Sequence, residues 1–257
     1  MLVAPQVKAM LFTDWDGTVT IQDSNDYMTD NLGYGEKRRK ELNKAVLDGS
    51  MTFRDSFSDM LQSVKKPFPE CIEYLKEHIE LDPGFADFYK WSVESGIPVV
   101  IVSSGMKPII HALLAKLVGQ KAADTIEIVA NDVDVHEDGT WDIVYRDESG
   151  FGHDKSRCIK PFAELPDESR PMLFYAGDGV SDLSAAKETD LLFAKVGRDL
   201  ITYCEREAIP YHVFHSYKDI HEKIKAIVAG EETIESAIEN KNKAAAQETL
   251  ASHHSSH

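Results

Sequence analysis

The chain has 257 residues, of which 42% are hydrophobic and 28% charged, and its formal net charge is −16 at pH 7. The apolar share is sufficient for a folded core, whereas the negative charge argues against nucleic acid or an anionic membrane surface as a partner. The three cysteines show no paired or metal-ligand spacing, and the sequence has neither a signal-peptide pattern nor an apolar stretch of membrane-span length. We therefore expect a soluble cytoplasmic protein with reduced thiols, either a monomer or a homodimer.

The first predicted element is a buried strand at 9–13, which leads into Asp14-Trp15-Asp16-Gly17-Thr18. A short apolar run without alternation is typical of a central strand in a parallel sheet. Such a strand delivers two carboxylates to the carboxyl edge of the sheet, where α/β proteins bind ligands. Because neighbouring acids repel unless a cation or a shared proton offsets their charge, the pair indicates a functional site; an ordinary acidic turn is the alternative.

The rest of the chain contains three kinds of segment. Residues 21–82 have helix-like periodicity without a convincing strand and end at Pro83-Gly84, so we interpret them as a helical cap inserted after the first strand. Residues 1–20 and 83–230 would form the core, because strand-like and helix-like stretches alternate there. Residues 231–257 are rich in Glu, Lys, Ala and Ser, and we expect a weakly ordered tail.

The alternation predicts an α/β fold with a doubly wound, mostly parallel sheet. A hairpin around Asp138-Gly139 would add one antiparallel excursion. Besides 9–13, strands are predicted at 99–102, 126–130, 172–176, 191–194 and 211–214, and helices at 85–95, 106–118 and 182–188.

Polar residues suited to chemistry stand at three further places along the chain. Ser103-Ser104-Gly105 reads as a turn before a helix, where hydroxyl and N–H groups hold a phosphate or simply cap the helix. Glycines on both sides of Asp178 permit a tight turn that aims its carboxylate inward, while Asp182 suits the first turn of a helix. Lys155 opens another helix as a point charge for phosphate or as a surface residue, and we expect His153 at the rim of its loop.

Taken together, Asp14–Thr18, Ser103–Gly105, Lys155 and Gly177–Asp182 resemble the four motifs of the haloacid-dehalogenase-like hydrolases, over roughly residues 8–225. The position of the insert resembles the cap of the phosphoserine-phosphatase-like branch. The motif around Gly177–Asp182 and the residues after it are most similar to methionine-salvage phosphatases, which act on a diketo-methylthio-phosphopentane. The resemblance implies a Rossmann-like core and a phosphatase of a small phosphorylated metabolite.

The resemblance also implies a role for each motif residue. Asp14 would be the nucleophile that forms an aspartyl-phosphate, and Asp16 the general acid and base. Mg²⁺ would be bound by the Asp14 carboxylate, the Asp16 carbonyl and Asp178. The phosphoryl group would be bound by Ser103, Ser104, Gly105 and Lys155, and Asp182 would orient the lysine or the metal-bound waters.

The residues that select the substrate are harder to locate in the sequence. Asp23 falls near the acidic position with which phosphoserine phosphatases read the amino acid, but Met60 stands where their cap arginine is expected. Without a guanidinium group at this position, the protein lacks the bidentate hydrogen bonds that would bind the carboxylate of phosphoserine, which disfavours that substrate. Arg54 would replace that arginine in a different cap register; otherwise it is an exposed helix charge.

Two other functions share these motifs. A phosphotransferase or mutase would pass the phosphoryl group to a sugar hydroxyl instead of water. A non-catalytic regulator would keep the fold for binding alone, although a binding protein has no need for both Asp14 and Asp16. Candidate substrates for a hydrolase include methylthio-sugar phosphates, polyol or sugar phosphates and phosphorylated amine alcohols.

Overall fold

The computed structural model describes residues 7–238. It confirms the predicted fold class, with a seven-stranded, mostly parallel sheet in the order β4-β3-β2-β1-β5-β6-β7 and flanking helices. The strands are β1 (Ala9–Thr13), β2 (Val99–Met106), β3 (Glu127–Val135), β4 (Trp141–Val144), β5 (Met172–Gly177), β6 (Leu191–Lys195) and β7 (His212–Phe214). The helices are α1 (Ser24–Leu32), α2 (Glu36–Leu47), α3 (Phe53–Gln62), α4 (Phe68–His78), α5 (Phe85–Glu94), α6 (Lys107–Leu117), α7 (Gln120–Thr125), α8 (Ser156–Ala163), α9 (Leu183–Ala186), α10 (Asp199–Glu207) and α11 (Tyr217–Ala229). Within 7–238, none of the helices has the length and apolar character that a bilayer crossing requires.

One compact unit comprises residues 13–82 and 99–158. In it β2 pairs with β3 in parallel, and β3 turns back onto β4 as the predicted antiparallel hairpin, with Val135 opposite Trp141. Gly139 has a φ of 84°, which this tight turn requires. The Trp141 ring packs against Phe68 at 5.2 Å, and its Nε1–H donates to the Lys66 carbonyl at 3.1 Å. The hairpin is thereby fixed against the start of α4.

The segment from residue 21 to 82 contains α1 to α4, and its two ends run side by side. Thr20 and Leu81 form an isolated antiparallel bridge, Ile21 N–H donates to the Glu80 carbonyl at 2.9 Å, and Asp82 N–H donates to the Val19 carbonyl at 2.9 Å. The chain therefore leaves and re-enters at one place, as an inserted segment must. The division of the whole chain into core, cap and tail stays a prediction.

The other compact unit comprises the described residues up to Phe12, Pro83–Pro98 and those from Ile159 onward. In it β5, β6 and β7 pair in parallel. The Phe85 ring meets Tyr217 edge-on at 4.9 Å, where α5 approaches α11. Gly84 permits this approach, because a Cβ there would lie 2.4 Å from the Lys218 nitrogen.

The start of the predicted tail lies within the described part of the chain. Ala237 is fully buried, and Lys223 of α11 forms an ion pair with Glu232 at 2.6 Å. Residues 239–257, which make up most of the predicted tail, lie outside the described residues. The weak order expected for them stays a prediction.

Candidate active site

A buried ion pair joins the acid after β1 to the lysine before α8. Asp14 follows directly on Thr13, the last residue of β1, and its Oδ1 lies 2.9 Å from Lys155 Nζ. The Lys155 side chain is fully buried, and only 9% of the Asp14 side chain is exposed. Because an unpaired charge at such depth is strongly destabilising, each group depends on the other. The lysine is therefore part of the same site as Asp14 and not a surface residue.

The second acid of the motif accepts hydrogen bonds through both of its oxygens. Asp16 Oδ1 accepts from the Ser24 backbone N–H at 2.7 Å and from Ser24 Oγ at 2.6 Å, while Oδ2 accepts from Asn25 Nδ2 at 2.8 Å. Burial and the nearby charge of Asp23 raise the pKa of Asp16 well above its usual range, against the lowering effect of the Ser24 hydrogen bonds. Burial thus favours the protonated form of Asp16, which a group needs if it is to donate a proton.

Ser24 and Asn25 are not among the site residues that the sequence predicts. Their signal was the run Asp23-Ser24-Asn25 before a helical stretch, since all three residue types favour a helix N-terminus. Asp23 takes the capping position of α1, with its Oδ1 accepting from the N–H groups of Asn25 at 2.8 Å and Asp26 at 2.9 Å. Its predicted role in reading the substrate stays a prediction.

The predicted turn at Ser103-Ser104-Gly105 is instead the irregular end of a strand. β2 continues to Met106, and its pairing with β3 changes register between Val102 and Met106. The irregularity arises because Gly105 N–H donates to Ser103 Oγ at 2.9 Å and not to the sheet. A Cβ on Gly105 would lie 2.9 Å from Asp16 Oδ2 and 3.2 Å from Ser103 Oγ. Glycine thus brings the serine segment close to the Asp16 carboxyl.

Two buried side chains hold this segment in place. His153 Nδ1 lies 2.8 Å from the Ser103 carbonyl, and Asn131 Nδ2 donates to the Ser104 carbonyl at 2.7 Å. Because a carbonyl only accepts, Nδ1 of His153 carries the hydrogen. Burial lowers the pKa of His153 to about 4, so the ring is neutral at pH 7. The expected position at the rim of the loop is wrong, because the Ser103 carbonyl provides this ring with a buried partner.

The acids after β5 form a tight local arrangement. Asp182 is fully buried and accepts from Tyr175 Oη at 2.5 Å and from the backbone N–H groups of Asp178 at 2.9 Å and Gly179 at 3.0 Å. A Cβ on Gly177 would lie 2.4 Å from Asp182 Oδ2, so only glycine fits where β5 ends. Asp182 therefore shapes the loop that carries Asp178.

Three acids of the motifs offer carboxylate oxygens that could hold a metal ion. Asp14 follows β1, and Asp178 and Asp182 follow β5. Carboxylate oxygens are the ligands that Mg²⁺ prefers. This donor set fits a hard divalent cation. The predicted metal ligands, which are the Asp14 carboxylate, the Asp16 carbonyl and Asp178, stay a prediction.

Arg54 lies against the loop that follows β4. Its guanidinium donates to the Asp147 carbonyl at 2.7 Å and stacks on the Tyr145 ring at 4.3 Å. Only 28% of the side chain is exposed, so it is not the exposed helix charge considered as an alternative. Whether it also contacts a substrate stays a prediction. Met60, at the place where an arginine was expected, is buried.

The family follows from this set of residues and from comparison with known proteins. Residues 11–187 match the haloacid dehalogenase-like hydrolases, and the chain belongs to that family. The chain is 52% identical to the polyol phosphate phosphatase PYP1 of Saccharomyces cerevisiae over 240 residues, which cover 91% of this chain and all of that protein. It is also 53% identical to the Pdp3-interacting factor 1 of Schizosaccharomyces pombe over 225 residues, which cover 88% and 98% of the two chains.

More distant matches include proteins of the two branches that the motifs resemble. A 2-hydroxy-3-keto-5-methylthiopentenyl-1-phosphate phosphatase of Bacillus cereus is 26% identical over 225 residues, covering 85% of this chain and 96% of its own. The phosphoserine phosphatase of T. onnurineus has the same fold, with a TM-score of 0.60 and 20% identity over 88% of this chain and 98% of that one. The family and the named relatives make this chain a phosphatase.

Proposed function

We propose that this protein is a Mg²⁺-dependent phosphomonoesterase that acts on a small phosphorylated metabolite through an aspartyl-phosphate. The observation that carries the proposal is the buried contact of 2.9 Å between Lys155 Nζ and Asp14 Oδ1. The ammonium group keeps Asp14 ionised and compensates the charge of an incoming phosphate. This environment suits a carboxylate nucleophile.

In the first half-reaction, an Asp14 oxygen attacks phosphorus and the bond between phosphorus and the ester oxygen breaks. Asp16 gives its proton to the departing alkoxide, so that a neutral alcohol leaves. The oxygen of Ser103 already accepts from Gly105 N–H, which leaves the hydroxyl hydrogen to donate to a phosphoryl oxygen. Lys155 neutralises charge that Asp14 and the phosphoryl group share.

In the second half-reaction, the Asp16 carboxylate takes a proton from water, and the resulting hydroxide attacks phosphorus. The bond to Asp14 breaks, inorganic phosphate is released, and Asp16 is again protonated. Mg²⁺, bound by the Asp14 carboxylate, the Asp16 carbonyl and Asp178, would stabilise negative charge on the phosphoryl oxygens. The carboxylate oxygens that Asp14, Asp178 and Asp182 offer after β1 and β5 are of the kind that Mg²⁺ prefers, which supports a cation here.

For the substrate, we propose a polyol phosphate. The support is the 52% identity, over the full length of the relative, to a protein named as a polyol phosphate phosphatase. Likeness to the methylthiopentenyl-phosphate phosphatase is weaker, at 26% identity. Phosphoserine is disfavoured, because the buried, apolar Met60 offers no charge for a substrate carboxylate.

The test is phosphate release from glycerol and longer polyol phosphates, a methylthio-sugar phosphate and phosphoserine, with Mg²⁺ and with a chelator. We expect hydrolysis of polyol phosphates that needs Mg²⁺ and disappears in Asp14→Asn, while Asp59→Asn, an exposed acid on α3, remains active. Retained turnover in Asp14→Asn would refute the nucleophile. Substrate loss without an equal amount of free phosphate would indicate a phosphotransferase or mutase, and no hydrolysis of any ester would indicate a regulator.

A further inference from the structure

We propose that Ser24 and Asn25, the first two residues of α1, are positioning residues that aim the Asp16 carboxyl at the leaving oxygen of the substrate. The inference rests on the proposed function, which makes Asp16 the group that protonates this oxygen. Neither residue belongs to the four motifs. The helical segment between β1 and α5 would thus take part in the chemistry through its first turn.

The two oxygens of Asp16 are held differently. Ser24 donates twice to Oδ1, from its backbone N–H at 2.7 Å and from Oγ at 2.6 Å. Within residues 7–238, Oδ2 accepts a single hydrogen bond, from Asn25 Nδ2 at 2.8 Å. Since a carboxyl oxygen offers two lone-pair positions, Oδ1 is fully occupied and Oδ2 keeps one position for a proton. The arrangement therefore selects Oδ2 as the oxygen that exchanges the proton.

Oδ2 is also the oxygen that faces the serine segment. A Cβ on Gly105 would lie 2.9 Å from Asp16 Oδ2, 3.2 Å from Asn25 Nδ2 and 3.2 Å from Ser103 Oγ. These three polar atoms thus lie around the position that a Cβ on Gly105 would take. Because the proposed function assigns Ser103 to the phosphoryl group, a proton on Oδ2 lies beside the ester bond that breaks.

The other end of the Asn25 amide gives a second observation in favour of a positioning role toward Asp16. Asn25 is 4% exposed, and its Oδ1 is a buried acceptor without a hydrogen-bond partner among the described residues. A buried acceptor without a partner costs stability, so an amide with a purely structural role is expected to satisfy both of its ends. Here the amide instead keeps its N–H directed at Oδ2.

The consequence depends on the leaving group. An alkoxide from a polyol phosphate needs the proton from Asp16, whereas p-nitrophenolate leaves without one. The ratio kcat/KM reports the steps up to cleavage of the ester bond, which is the half-reaction in which Asp16 acts as an acid. Misalignment of Asp16 should therefore lower kcat/KM for the alkyl ester and spare the aryl ester, whereas general damage to the site lowers both.

The experiment measures kcat/KM for glycerol phosphate and p-nitrophenyl phosphate with Mg²⁺ in Ser24→Ala, Ser24→Thr and Asn25→Leu. Ser24→Ala removes only the hydroxyl hydrogen bond, and Ser24→Thr restores it. The matched control is Thr29→Val, because Thr29 is buried in the same helix and donates to the Asn25 carbonyl at 2.9 Å without contacting Asp16. Folding of each variant is checked by its thermal unfolding curve.

General acid catalysis contributes about 10²–10⁴-fold, so we expect roughly a 10-fold loss in Ser24→Ala and more in Asn25→Leu on glycerol phosphate. On p-nitrophenyl phosphate we expect a change within about 3-fold, and Ser24→Thr and Thr29→Val should resemble the parent protein on both esters. Equal losses on both esters, or no loss on either, would overturn the inference and leave the phosphatase intact. A parent protein that hydrolyses neither ester would instead overturn the proposed function. If Asn25→Leu does not fold, the comparison of Ser24→Ala with Ser24→Thr on the two esters is sufficient to test the inference.

Discussion

His153 gives the protein a stability that depends on pH in a defined window. Burial lowers the pKa of this ring to about 4, from the ordinary 6.5 that it has in the unfolded chain. Between these values the unfolded chain binds a proton that the folded protein does not, so the free energy of unfolding falls as the pH drops from 6.5 toward 4. Well above pH 6.5 the ring is neutral in both states and contributes no pH dependence.

The size of the effect follows from the same two values. A pKa lower by about 2.5 corresponds to a limit of ~3 kcal/mol, of which ~2.5 kcal/mol is reached by pH 4.5. Because the ring is only 2% exposed, solvent screening does little to reduce this figure. The substitution His153→Asn isolates the contribution of the His153 ring to the pH dependence. The asparagine amide nitrogen can replace Nδ1 as the donor to the Ser103 carbonyl, but the amide does not titrate.

The assay is urea unfolding of the parent protein and of His153→Asn at pH 7.5 and at pH 4.5, with equal ionic strength. All other titrating groups are common to the two proteins, so their contributions cancel in the difference between the curves. We expect the parent protein to lose ~2.5 kcal/mol more than the variant between these pH values. Parallel dependence on pH in both proteins would refute the buried, neutral state of His153.

Three further predictions concern glycines and a cap. Gly105→Ala should lower kcat/KM for a polyol phosphate about 10-fold or more in a steady-state assay. The reason is that the added methyl carbon would lie 2.9 Å from Asp16 Oδ2. An unchanged kcat/KM would contradict this contact. Gly177→Ala should lower the free energy of unfolding in urea by about 2 kcal/mol or more, because its Cβ would lie 2.4 Å from Asp182 Oδ2; a stable variant would show that the loop relaxes. Asp23→Ala removes the N-cap of α1 and should lower the free energy of unfolding in the same assay by ~1 kcal/mol. Asp23→Asn keeps a capping side chain and should lose less. Equal losses in the two variants would mean that the charge of Asp23, and not its capping hydrogen bonds, stabilises the protein.

Local patterns predicted most of the sheet. β1 and its acids, the hairpin from Val135 to Trp141 and the strand before Gly177 each carry their signal within a few residues, as apolar runs closed by turn residues. The sheet order and the family motifs then place the named acids near the ends of strands. The structure changes the boundaries by only a few residues, chiefly at β2, where Ser103–Gly105 continue the strand.

The partners of the motif residues were not predictable in this way. Asn131 and His153 reach Ser104 and Ser103 across 27 and 50 residues of sequence, and no periodicity marks either side chain as buried. Ser24 and Asn25 carried a helix-start signal, but the same residue types cap helices that bind nothing. Only the path of the chain from β1 into α1 brings them to Asp16.

Asp16 and Asp182 show how similar acids are prepared for different tasks. Oδ2 of Asp182 accepts from two backbone N–H groups, those of Asp178 and Gly179, and its Oδ1 accepts from Tyr175 Oη. Backbone N–H groups only donate, so this oxygen is held permanently as an acceptor and the loop is shaped around it. In Asp16, the backbone N–H and the hydroxyl of Ser24 both donate to Oδ1. In the part of the chain that the structure describes, Oδ2 accepts only from the Asn25 amide. Each acid thus has one oxygen that accepts two hydrogen bonds, but Asp182 is held by the backbone of its own loop, whereas Asp16 is held by the first turn of α1. Asp182 therefore shapes the loop that carries it, whereas a separate element orients the Asp16 carboxyl, as the proposed general acid and base requires.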